Sequence, residues 1–103
     1  MTDYSANYTW LVSKFGKVLE SHQELGKAIR EAGPIDHKTA HLIQLAASAA
    51  VRSEGGVHSH VKRALKAGAT ADDIYHSLIL LTSTIGFPTV AASLSWAKDV
   101  IDN

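Results

Sequence analysis

Cysteine is absent from the 103 residues. Without a thiol the chain makes no disulfide, offers no thiolate to a metal and runs no thiol redox cycle of its own. An excess of charge is also missing, since Lys+Arg and Asp+Glu stand at ten each. No Lys/Arg tract stands out, which argues against nucleic acid and against an anionic membrane surface as partners. Long apolar runs are lacking too. The richest, Ile74 to Ile85, is broken by His76, Ser77, Thr82, Ser83 and Thr84, and it is too short to span a bilayer. The polar start, Met1 to Asn7, has no apolar signal core, so a cytoplasmic location is the default expectation. No segment alternates with period two, so no sheet is expected. With no linker, repeat or low-complexity tract, residues 1–103 read as a single domain.

What remains is helical patterning. From Tyr4 to Ala32 the residues Trp10, Leu11, Phe15, Val18, Leu19, Leu25, Ala28 and Ile29 recur at spacings of three and four, the stripe of an amphipathic helix. Gly16 and Gly26 weaken it, and a break is expected near Ser21–Gln23. Gly33-Pro34 ends it. Asp36 suits the N-cap of a second helix, His37 to Arg52, whose middle from Leu42 to Val51 is small or apolar on nearly every face. Such a helix is expected to be enclosed by protein. Glu54-Gly55-Gly56 reads as a sharp joint. A third helix then spans Val57 to Ala67, with Val61, Ala64 and Leu65 inward and Lys62, Arg63 and Lys66 outward. Thr70 caps a fourth, Ala71 to Thr84, with Asp72 and Asp73 in its first turn and Ile74, Leu78, Leu81 and Ile85 on one face. Gly86-Phe87-Pro88 breaks the chain before a last helix striped by Val90, Leu94, Ala97 and Ile101. Trp10, Phe15, Phe87 and Trp96 are expected in the core or at an interface. The fold class is therefore all-α, a bundle of about five to six helices. Two helices apolar almost all round are hard for so small a bundle to bury, so self-association is expected.

The stretch from Leu45 to Ala64, containing Ser53-Glu54-Gly55-Gly56-Val57-His58-Ser59-His60, is followed by Ala67-Gly68-Ala69-Thr70 and by Gly86-Phe87-Pro88. Together these resemble the carboxymuconolactone decarboxylase family, which includes alkylhydroperoxidase D-like proteins. The resemblance spans roughly His37 to Ala97. It implies an alkylhydroperoxidase D-like helical fold, assembly as trimers or hexamers, and a small-molecule ligand. Redox members of that family carry E-x11-C-x2-C-x3-H. Matched position by position, the glutamate is His41 here, the two cysteines are Ser53 and Gly56, and the histidine, His60, is kept. Serine at its ordinary pKa does not attack peroxide and glycine has no side chain, so thiol peroxidase activity is not expected. The family also includes a lactone decarboxylase, a lyase that works by proton transfer. The resemblance further places the Gly86-Phe87-Pro88 segment near the pocket, which makes Phe87 a candidate for substrate contact.

Six histidines then compete for meaning. In one reading, His41 and His60 form an acid/base pair, with His58 and Glu54 as further catalytic candidates and Ser53, Gly56 and Phe87 against the substrate. In a second, His41 and His60 with His58 or His76 bind a divalent metal such as zinc through three nitrogens. No spacing here matches an established metal signature, and the first reading needs no cofactor. In a third, the histidines are ordinary, with His22 and His37 exposed and His76 at a helix contact, and the protein is a non-catalytic oligomer.

Overall fold

The computed structural model describes residues 4–103, so the expectation for Met1 to Asn7 lies partly outside the described residues. Six helices follow one another: α1 (Tyr4–Glu31), α2 (His37–Ala50), α3 (Glu54–Lys66), α4 (Ala71–Ile79), α5 (Thr82–Ile85) and α6 (Phe87–Ile101). Among the described residues there is no strand, and the fold is all-α. The chain divides into two compact units, the first ending at Ile35 and the second running from Asp36 to Asn103.

The first unit is α1, folded at Phe15, whose backbone leaves the helical region (φ −131°, ψ 43°). The break falls there and not at Ser21–Gln23. Gly16 is adjacent, and a side chain at that position would meet open space, so the chain turns without obstruction. The Gln23 amide donates to the Tyr8 hydroxyl at 2.8 Å across the fold. Trp10 and Phe15 meet edge to face with ring centroids 6.1 Å apart. Neither ring is in a core, since both are about half exposed.

The second unit holds the core. Leu45 and Ala49 of α2, Val57, Val61 and Ala64 of α3, Ile74 and Leu78 of α4, and Ala97 of α6 are fully buried against one another. The starts of α2, α3 and α4 are each fixed by a side chain. Asp36 accepts from the Thr39 amide at 2.7 Å and opens α2. Hydrogen bonding from Thr39 holds the Asp36 carboxyl below its usual range. Its capping contribution is therefore present above the ordinary carboxylate pKa and is lost as pH falls through the lowered one. Thr70 and Asp73 form a reciprocal capping box at α4.

The expected joint at Gly55-Gly56 is instead the first turn of α3, because Ser53 caps the helix and starts it earlier. The reversal lies just before, at Arg52, which takes a left-handed conformation (φ 59°). The Ser53 amide reaches back to the Ser48 carbonyl, and the Arg52 amide to Ala49. This is a Schellman stop in which arginine occupies the position usually given to glycine. One residue therefore ends α2 and the next begins α3, so the two helices form a tight antiparallel hairpin.

The fourth helix is also shorter than the pattern predicts. It gives way at Leu80 to a tight turn, and the Thr82 hydroxyl donates to the Ile79 carbonyl at 2.7 Å before α5 resumes. Gly86 (φ 91°) then lets α6 begin, with Pro88 in its first turn. Leu65, expected inward, is on the exposed side of α3. Phe87 is 59% exposed and belongs to no core, while Trp96 is partly buried and packed against the buried cluster. Helix α2 is enclosed only on its His41–Leu45–Ala49 face. Ile43, Ala47, Ala50 and Val51 are exposed.

Candidate functional site: a histidine pair on the α2–α3 hairpin

His41, Leu45 and Ala49 are spaced four apart, so they lie along one stripe of α2. That stripe is the buried one. His41 keeps only 6% of its surface accessible, a polar ring set in line with a fully buried leucine. The hairpin turn at Arg52-Ser53 brings α3 back alongside, and His60, one residue before the buried Val61, comes level with His41. The two Nδ1 atoms stand 3.3 Å apart. The ring centroids are 5.6 Å apart and the planes are tilted by 37°.

A close Nδ1–Nδ1 contact has a chemical requirement. One nitrogen must carry the proton and donate, and the other must present a lone pair. If both rings were protonated the contact would become a repulsion between two donors. A hydrogen bond in this contact would place one hydrogen between two nitrogens on facing helices, with His60 half-buried and His41 almost closed to water.

Ser53 and Gly56 sit a few residues before His60. The Ser53 hydroxyl accepts from the Gly56 amide at 3.0 Å, which is the N-cap of α3. A Cβ on Gly56 would stand 2.7 Å from the Ser48 hydroxyl oxygen, 2.9 Å from that of Ser53 and 3.0 Å from the Ser48 Cβ. The place where a side chain at 56 would project is thus filled by two serines from either side of the turn. Glycine is required there for close approach of α2 to α3.

Glu54 and His58 form a separate pair, 3.7 Å between carboxylate oxygen and Nε2, four apart on α3. His58 and His60, two apart, point to nearly opposite sides of the helix. His37 opens α2 in an exposed position, and His76 is exposed on α4. Among the described residues no three histidines, aspartates or glutamates come close enough together to hold a metal. The three-nitrogen arrangement of His41 and His60 with His58 or His76 is therefore not formed by the described residues of one chain. Phe87 stands at the start of α6 with its ring largely in solvent.

Sequence reasoning passed over Gln44. It lies three residues after His41 on α2, and its side-chain oxygen is shut off from solvent with no hydrogen-bond donor among the described residues. A buried acceptor left this way is costly, so it marks a place where a ligand or water would be welcome. The signal in the sequence was a long polar side chain within a run, Leu42–Val51, that is otherwise small or apolar.

The model of the carboxymuconolactone decarboxylase family matches residues 16–99. The chain belongs to that family. No curated protein and no solved structure matches it. Within the carboxymuconolactone decarboxylase family frame, the two outer positions of the redox motif, His41 and His60, meet in space. The two inner ones, Ser53 and Gly56, are taken up by the helix cap and the close helix contact.

Proposed function

We propose that this carboxymuconolactone decarboxylase family protein is a proton-transfer lyase, acting on a small lactone that carries a carboxylate. The observation that carries the reading is the 3.3 Å Nδ1–Nδ1 contact of His41 and His60. Histidine is the side chain that most readily both takes and gives a proton near neutral pH. A pair sharing one proton holds an acid and a base in contact without metal or thiol. The substrate class rests on the family's name alone.

In such a decarboxylation the bond between ring carbon and carboxylate breaks and carbon dioxide leaves. The electron pair is delocalised into the conjugated lactone and returns to carbon, which takes one proton from the imidazolium. Each turnover consumes one proton, so the pair must be recharged from solvent. His60 is the more accessible ring and is suited to that step, while His41 is buried against the core and fixes the geometry.

The test is turnover of a carboxymuconolactone in heavy water. The expected result is one carbon dioxide released per product, with a single carbon-bound deuterium incorporated into the conjugated system of the product lactone. No carbon dioxide from carboxylated lactones, with folded protein, would contradict the reading.

A further inference from the structure

A tetrahedral zinc ion with Zn–N bonds of about 2.0–2.1 Å holds two of its nitrogen ligands about 3.3–3.4 Å apart. The Nδ1 atoms of His41 and His60 stand 3.3 Å apart, on two helices joined by the three residues Val51, Arg52 and Ser53. We infer that this pair is also a two-nitrogen chelate for a divalent cation of the zinc type, and that metal and shared proton are mutually exclusive occupants of the same site.

The spacing does not have to change for the metal to enter. In the hydrogen-bonded state both nitrogens point along the line that joins them. For a tetrahedral ion each lone pair must turn off that line by about 35°, so that the two converge beside it. This is a modest rotation for rings on separate side chains. The ring that carried hydrogen on Nδ1 must lose it there, and the proton moves to its Nε2 through solvent, since a ligating nitrogen needs its lone pair. Two protein ligands leave two positions open, for water or for the carboxylate of a small molecule. Imidazole nitrogen favours zinc, cobalt, nickel and copper over magnesium or calcium. The inference shares the His41–His60 contact with the acid/base reading but not its chemistry, and a bound ion would remove the proton that the reading needs.

Calorimetric titration of zinc into untagged protein tests this, with visible absorption of the cobalt(II) form as a second readout. The expected result is one zinc per chain, weakened about tenfold or more in His41→Gln and in His60→Gln, and unchanged in the exposed His76→Gln. Cobalt should give the intense visible bands of a tetrahedral site in the wild type. That measurement holds whether or not a variant folds. Less than about a tenth of an equivalent bound, binding that survives both pair substitutions, or binding that is lost with His76, would each overturn the inference. Saturating zinc should also abolish turnover, and turnover that persists at saturation would overturn the mutual exclusion. If zinc binds through the pair while no carboxylated lactone is ever turned over, the chelate stands and the lyase reading falls.

Discussion

His60→Gln is expected to lower kcat/KM for a carboxylated lactone by about 10²–10⁴-fold, the range that a positioned general acid or base contributes. Glutamine keeps much of the length of the side chain and can still hydrogen-bond, but it neither takes nor releases a proton. His41→Gln is expected to fall in the same range, for a different reason. The ring is buried and meets solvent little, so its part is to hold or accept the proton of its partner at 3.3 Å. Because the two rings share one proton, they act as a unit, and the double variant should be little worse than either single one. His76→Gln, exposed on α4, serves as the control and should change turnover by less than about threefold. A loss below threefold in both pair variants would remove histidine catalysis from the account.

The second large effect is on stability. Leu45→Ala is expected to cost about 2–5 kcal/mol, read as a fall in the urea midpoint at unchanged slope. Leu45 is fully buried, and it is packed in the cluster with Val57, Val61, Ile74, Leu78 and Ala97. Removing its side chain leaves a cavity where α2 and α3 meet, in the turn of helix that follows His41. The site histidine is thus held by the same apolar stripe that holds the second unit together, and the two properties should be lost together as denaturant is raised. Ile79→Ala is the matched control, because Ile79 is 44% exposed and its truncation should cost well under 1 kcal/mol. A Leu45→Ala cost below about 1 kcal/mol would mean that α2 is not anchored where the structure puts it.

Much of the architecture could be read before any coordinates. The caps at Asp36 and Thr70, the stop at Gly68 and the start near Pro88 are local chemistry, and each sits where the residue types put it. One error came from assigning punctuation to glycine when other residues supplied it. Gly55 and Gly56 looked like a joint, yet a serine cap and an arginine in a left-handed turn make the reversal, and Gly56 serves helix contact instead. In the first unit the fold at Phe15 depends on where the two halves meet, through Tyr8 and Gln23, and no local pattern encodes that distance. Ser93 is fully buried because its hydroxyl donates to the Thr89 carbonyl on its own helix, which hides a polar residue inside an apolar stripe. The candidate site was legible only in part. A helical period puts His41 on the Leu45 face and the family motif singles out His60 over His58, but the 3.3 Å approach of the two rings is made by the hairpin turn.

Catalysis by the histidine pair requires one proton held between His41 and His60. Nitrogen-15 and proton resonance spectra of histidine-labelled protein at neutral pH detect it. The prediction is one ring protonated at Nδ1 and slow to exchange, paired with a second whose Nδ1 is a bare acceptor, and both signals moving together when either residue is changed. Two rings that titrate independently and exchange with solvent as fast as the exposed His22 and His37 would contradict it.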